Sequence, residues 1–262
     1  MKNFEQASPP EAETPGISGN YWADKGNPKE QFDITFVGRK IEVANFSDVE
    51  LAPVQLKELQ EVIAEFSKIK DGKAFDKIKS IFIDNNQPVD PETGKGVNGM
   101  GAEKGDGIIK LYPRALEPVS HRVEGVSNFE GTLIHEFTHA LVNKEMLGKW
   151  KEAFEWMLDS NKVNEIKKLG LLEKLKTTSQ KDWGSLHPNI WKLARVWEVN
   201  QPEWCVTDYA KLGPEDDIAE SMVAALKNPK ILDGARLRFI KKNFLNETKE
   251  KESPVVDIKK RA

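Results

Sequence analysis

A His-Glu-x-x-His stretch, running from His135 to His139, has the residue types and spacing that most favour chemistry in this sequence. On a helix, residues four positions apart lie on the same face, so both imidazoles can face one metal ion. Glu136 follows His135 directly and is close enough to reach a water molecule on that metal. Two neutral histidine nitrogens, one carboxylate and a water form a usual zinc site. We therefore predict one zinc ion per chain, with Glu136 as the general base that takes a proton from the zinc-bound water.

The residues around this motif predict a buried helix, over roughly 127–144, with Ser127 or Asn128 as its cap. Histidines at helical spacing can also be exposed residues or hydrogen-bonded polar groups of a core. In a buried helix, however, His, Glu and His in register cost free energy unless they are paired or bind metal. The metal interpretation is therefore preferred. The apolar residues that indicate burial are Leu133, Ile134, Phe137, Ala140, Leu141 and Val142.

The composition fits a globular protein with a hydrophobic core. The chain has 262 residues, of which 39% are hydrophobic and 31% charged. Its net charge of -3 gives no reason to expect nucleic-acid binding. No stretch approaches the ~20 apolar residues of a membrane span, so none is expected. The first twenty residues show no signal-peptide pattern, so the default expectation is the cytoplasm, with non-classical secretion left open.

The order of patterns along the chain predicts one α+β domain over residues 31–246. A proline-rich, flexible arm is expected over 1–30 and a charged, frayed tail over 247–262. A long loop rich in glycine and polar residues is expected over about 84–107. Alternating apolar residues predict a hairpin near 32–43 and strands near 79–84 and 107–112. Apolar residues at helical spacing predict further helices, over 53–70, within 149–176, from Pro214 to about 227 and over about 230–246.

Two histidines do not complete a zinc site, so a further donor must come from elsewhere in the chain. His121 and His187 are candidates only by residue type. Asp216 and Glu220 are better candidates, because they lie four positions apart and share one face of the predicted helix after Pro214.

Together, these two helical motifs resemble the zincin metallopeptidases, and more narrowly the gluzincins of the lethal-factor-like kind. In that family one acid of a second helix binds zinc, and an acid four residues later supports a histidine ligand. A tyrosine seven residues before the first acid points at the substrate carbonyl. The same spacing is present here at Tyr209, Asp216 and Glu220. By this resemblance Asp216 is the expected third ligand. Because aspartate stands where the family usually has glutamate and is shorter by one methylene, Glu220 is the alternative ligand.

The resemblance covers roughly residues 108–226 and implies a zincin-like fold. In such a fold a small mixed or antiparallel sheet and the active-site helix precede a mostly helical C-terminal part. Strand 107–112 would be the sheet edge beside the site, where an extended peptide can add by main-chain hydrogen bonds. The implied reaction is hydrolysis of a peptide or protein substrate, with Glu136 as base. Zinc and the Tyr209 hydroxyl would stabilise the oxyanion, although Tyr209 can also be a structural residue on a loop.

Two further functions stay open at this level. The chain can be a non-catalytic interaction module that uses zinc for structure, although a structural zinc site has no need of Glu136. It can also be a toxin or effector peptidase that acts on a partner's proteins, with the same chemistry. The sequence gives no indication of the oligomeric state, and the expected activity is that of an endopeptidase.

Overall fold

The computed structural model describes residues 26–36, 39–67, 69, 78–86, 98–100, 107–177, 186–187, 190, 193, 196–245 and 256–261. The first 25 residues of the predicted arm and most of the predicted glycine-rich loop lie outside these ranges. Within them, helices combine with a six-stranded mixed sheet, so the predicted α+β class is confirmed. No helix of the described part is long and apolar enough to cross a membrane.

The sheet begins with the predicted hairpin. Strands β1 (Glu30–Phe36) and β2 (Arg39–Asn45) pair antiparallel. Their alternate side chains, including Ile34 and Ile41, are buried, as the period of two in the sequence requires. Parallel pairing then joins β2 to β3 (Ser80–Ile83) and β3 to β5 (Ile108–Leu111).

The edge of the sheet beside the motif helix is formed by β4 (Gly99–Met100), which pairs antiparallel with β5. The prediction that strand 107–112 forms this edge is therefore wrong, because β5 lies between β3 and β4. The two residues of β4 come from a stretch whose composition is typical of a loop. Only their pairing with β5 makes them a strand. Strand pairing of this kind depends on residues that are distant in sequence.

The opposite edge is covered by β8 (Val256–Lys260), which pairs antiparallel with β1. The expectation of a frayed tail over 247–262 is wrong for this segment, because a ladder and an ion pair between Arg261 and Asp33 hold it to the sheet. The sheet order is therefore β4-β5-β3-β2-β1-β8.

The helices lie largely in the predicted regions. The helix from Pro214 ends at Lys227 as predicted, whereas the helix Lys144–Ala153 begins before the predicted region at 149. The region 149–176, where one or two helices were expected, also contains strand β6 (Trp156–Leu158), which pairs with β7 (Trp197–Val199). A 3-10 helix, Tyr209–Leu212, precedes the second motif helix. The α-helices are α1 (Pro53–Phe66), α2 (Asn128–Leu141), α3 (Lys144–Ala153), α4 (Ser160–Lys168), α5 (Leu172–Thr177), α6 (Pro214–Lys227) and α7 (Gly234–Asn243).

Helix α2 lies in the centre of the core and contacts α1, α6 and the strands β4 and β5. Its N-terminus is fixed by Ser127, whose hydroxyl accepts from the Glu130 amide at 3.1 Å, a cap that stabilises by about 1 kcal/mol. Phe137 is fully buried and packs edge-to-face on Phe66 at 5.2 Å. Burying such a ring contributes about 1.5–3 kcal/mol. The helix that carries the His-Glu-x-x-His motif is thus held on several sides.

Candidate metal centre

Helices α2 and α6 bring three possible metal ligands together. His135 and His139 lie one turn apart on α2, and their Nε2 atoms are 2.9 Å from each other. Asp216, in the first turn of α6, places Oδ1 3.6 Å from Nε2 of His135 and 3.7 Å from Nε2 of His139. One ligand atom from each residue lies within 4.8 Å of the others, so this cluster could hold a metal ion.

The spacing of these atoms fits a small divalent cation. Around a tetrahedral ion with bonds of about 2.0–2.2 Å, neighbouring ligand atoms lie roughly 3.3–3.6 Å apart. The two distances to Asp216 agree with that spacing, whereas the two imidazole nitrogens are closer. Two nitrogen lone pairs at such a separation repel each other unless a proton or a metal cation lies between them. The nitrogen and oxygen donor set suits zinc and its transition-metal neighbours.

The two histidines of this cluster have pKa values shifted in opposite directions. Burial acts to lower the pKa of His135, but the carboxylates of Asp216 and Glu220 outweigh it and raise that pKa to about 10. Burial, followed by the charge of His135, lowers the pKa of His139 to about 4. His135 is therefore the imidazolium and donates from Nε2 to the unprotonated Nε2 of His139. A cation that binds the same two atoms must replace this proton.

Glu220 lies behind His135, on the side away from His139. Its Oε1 is 2.9 Å from Nδ1 of His135, while Oε2 accepts from the Thr207 hydroxyl at 2.9 Å. Arg122 donates to Oε1 from Nη1 at 3.3 Å. Burial acts to raise the pKa of Glu220, but the hydrogen bond and charge of His135 lower it to about 2. An ionised Glu220 thus keeps the proton of His135 on Nδ1 and leaves Nε2 for a metal, as acids behind histidine ligands commonly do.

Glu136 is buried between α2 and the edge strand β4. A Cβ atom on Gly99 would lie 2.8 Å from Oε1 of Glu136, so this part of β4 approaches the carboxyl as closely as a main chain can. Burial raises the pKa of Glu136 to about 7, against the lowering effect of His135. A carboxyl group with a pKa near neutrality can both accept and return a proton under physiological conditions.

Tyr209 stands next to the clustered ligands, in the 3-10 helix ahead of α6. Its ring lies 5.6 Å from the ring of His135, and the Arg122 guanidinium lies 3.8 Å above its face. Burial raises the pKa of Tyr209 above its usual range, with Asp216 acting in the same direction. The phenol therefore stays protonated and can donate a hydrogen bond.

A buried ionic network fixes the helix that carries Asp216. The neighbouring Asp217 is fully buried, and its Oδ2 accepts from the indoles of Trp150 at 2.9 Å and Trp156 at 3.0 Å. Arg236 of α7 donates to the same carboxylate from Nη2 at 2.9 Å and from Nε at 3.2 Å. Successive residues of α6 thus serve two purposes, with Asp217 anchoring the helix and Asp216 facing the histidines.

Sequence reasoning located the clustered ligands and missed part of their support. Arg122 and Thr207 contact Glu220 from loop segments, where no periodic pattern or spacing could have indicated them. Among the described residues, His121 and His187 do not belong to the ligand cluster, although their residue type made them candidates. His121 instead lies beside Glu220, with 3.7 Å between Nε2 and Oε1.

Comparisons of the chain with models of protein families, with curated proteins and with solved structures found no match. The contacts of His135, His139, Asp216 and Glu136, together with the two sequence motifs, are therefore the basis for proposing a function.

Proposed function

We propose that this chain is a zinc-dependent metallopeptidase of the zincin type, which hydrolyses peptide bonds of a peptide or protein substrate. The observation that supports this most is the convergence of His135, His139 and Asp216 beside the buried carboxyl of Glu136. A site with only a structural metal would not need a carboxyl group with a pKa raised by burial at that place.

The residues divide the chemistry between them. His135, His139 and Asp216 would hold the zinc, which supplies a Lewis acid and an acidified water when bound. Glu136 accepts a proton at its carboxylate and hands it to the nitrogen of the leaving amine. Tyr209, as a protonated phenol beside His135, donates to the oxyanion that forms from the substrate carbonyl.

The edge strand β4 offers a place for the substrate. It is the outermost described strand on the side of the sheet that faces α2, and an outermost strand presents main-chain groups to an extended peptide. Gly99 lies directly over Glu136, and only a residue without a side chain fits there. A peptide that adds to β4 is thereby brought alongside Glu136.

The test uses the full chain, loaded with zinc and incubated with a broad peptide library whose products are identified by mass spectrometry. We expect new cleavage products with the wild type and a loss of roughly 10²–10⁴-fold in rate for Glu136→Gln, the usual contribution of a general base. Glu145→Gln, the same substitution at an exposed position of α3, is the control and should cleave normally. A zinc-loaded wild type that cleaves no more than Glu136→Gln would contradict the proposal and favour a non-catalytic zinc module.

A further inference from the structure

His121 lies in a tightly bound loop just behind the metal centre. Its side chain is only 1% exposed. The loop closes on itself, because the His121 amide donates to the Val126 carbonyl at 2.8 Å and a bridge joins Ser120 to Ser127. Since Ser127 also caps α2, the imidazole is held at a fixed place relative to the motif helix.

The hydrogen bonds of the loop determine where the proton of His121 lies. Nδ1 accepts from the Val123 amide at 3.1 Å, and a ring nitrogen that accepts carries no hydrogen. The ring proton is therefore on Nε2. This atom is buried and has no hydrogen-bond partner among the described residues. It faces Oε1 of Glu220 at 3.7 Å, which is longer than a hydrogen bond but within range of a favourable N–H-to-carboxylate attraction.

The motif helix has a glycine where the His121 ring touches it. A Cβ atom on Gly131 would lie 2.3 Å from Cγ and 2.4 Å from Cδ2 of His121, and a planar ring cannot yield as the end of a flexible chain could. Glycine is among the least favourable residues inside a helix, so its presence at the fourth position of α2 calls for such a reason. Gly131 lies one turn before His135, which puts the His121 ring directly beneath the turn that carries the first metal ligand.

We propose that His121 is a positioning residue that acts through Glu220 to hold His135 in its metal-binding orientation, and that Gly131 makes room for it. The proposal rests on the metal-centre part of the proposed function. The chain of contacts runs from the loop to Nε2 of His121, on to Oε1 of Glu220, and then to Nδ1 of His135. His121 itself does not touch the metal or the substrate in this arrangement.

The first experiment compares zinc affinity in His121→Leu and His121→Gln, measured by competition with a coloured chelator. Leucine fills the space without a donor, whereas the glutamine amide nitrogen reaches about the position of Nε2. We expect His121→Leu to weaken zinc binding by on the order of tenfold, the lower end of the range for groups behind a ligand, and His121→Gln to keep most of the affinity. Circular dichroism and thermal unfolding of the metal-free proteins check that both variants fold.

A double-mutant cycle shows whether the effect passes through Glu220. In a Glu220→Gln background, His121→Leu should have little further effect on zinc affinity, because the carboxylate on which it acts is gone. Additive losses would instead indicate that His121 is only a packing group.

The glycine provides an independent test with a matched control. Gly131→Ala should displace the His121 ring and weaken zinc binding, whereas Gly148→Ala in α3 should leave it unchanged, since a Cβ there meets open space. A wild-type chain that binds no zinc would overturn both this inference and the proposed function. This inference alone would be overturned if the wild type binds zinc and both His121→Leu and Gly131→Ala bind it equally tightly. Equal losses of zinc affinity in His121→Leu and His121→Gln would also overturn it.

Discussion

His135 uses its two ring nitrogens for different purposes. Nδ1 is held by Glu220 at 2.9 Å, and Nε2 converges with His139 and Asp216. This division places a carboxylate on one side of the ring and the candidate metal cluster on the other. The outer carboxylate also sets the electrostatic balance of the metal-free site, because it stabilises the imidazolium.

Zinc binding should therefore release a proton. Burial opposes the charge of His135, but Asp216 and Glu220 raise its pKa to about 10, so the free site is protonated near pH 7 and zinc must displace that proton. Apparent zinc affinity should rise about tenfold per pH unit between roughly pH 6 and 9, and fall as the solution is acidified. Titration calorimetry in buffers of different ionisation enthalpy measures the released proton directly. Binding without any proton release would show that His135 is already neutral.

The two acids of α6 should differ in their effect on zinc. Asp216 places an oxygen at the convergent nitrogens, whereas Glu220 contacts only the outer nitrogen of His135. We expect Asp216→Ala to lose zinc completely and Glu220→Ala to weaken it by about 10–100-fold. Asp216→Glu, which keeps the carboxylate on a side chain one methylene longer, should keep some metal. Zinc content after dialysis against a weak chelator distinguishes these variants, and the reverse order would make Glu220 the ligand.

At the scale of elements, the site depends on α6 being held in one position. Asp217 achieves this through Trp150, Trp156 and Arg236, three partners from three different segments. Because all of these groups are buried, removing the carboxylate leaves donors and a cation unpaired.

Asp217→Ala should cost about 3–5 kcal/mol in the free energy of unfolding, the range for breaking a buried ion pair. Denaturant unfolding of the metal-free protein gives this value. Asp208→Ala is the control: its ion pair with Lys211 is exposed, so the free energy of unfolding should stay essentially unchanged. An Asp217→Ala variant as stable as the wild type would mean that the network does not anchor α6.

The sequence predicted what local patterns determine. The motif helix was predicted because His135, Glu136 and His139 stand in an apolar helical pattern. Spacing along one helix made Asp216 and Glu220 candidates, and the resemblance to zincins favoured Asp216. Edge strand β4 and the contacts of Arg122 could not be predicted, because each depends on a partner far away in the chain. The roles of His121 and Gly131 likewise become visible only when loop and helix are seen together.

At the scale of the whole molecule, the two edges of the sheet end in strands of different character. The edge beside α2 ends at β4, over Glu136, where the proposed substrate would pair. The far edge ends at β8, a short strand from the C-terminal segment that pairs with the N-terminal hairpin and carries three charged side chains. A short outermost strand rich in charged residues disfavours unwanted strand pairing.

Deleting residues 256–262 should therefore affect stability and association, and leave the metal centre intact. The deletion removes the ladder between β8 and β1, together with the bonds from Arg261 to Asp33 and Glu42. The partly buried Val256 and Ile258 also leave the core, a loss of roughly 2 kcal/mol in the free energy of unfolding. β1, which is longer and less charged than β8, then becomes the outermost strand and favours self-association, which light scattering detects. Zinc affinity should stay unchanged, since β4 lies at the opposite edge.

Lys259→Ala, at an exposed position of β8, is the control and should change none of these properties. A truncated chain with unaltered unfolding and scattering would show that β8 does not protect the sheet, and a loss of zinc would show that the two edges are coupled.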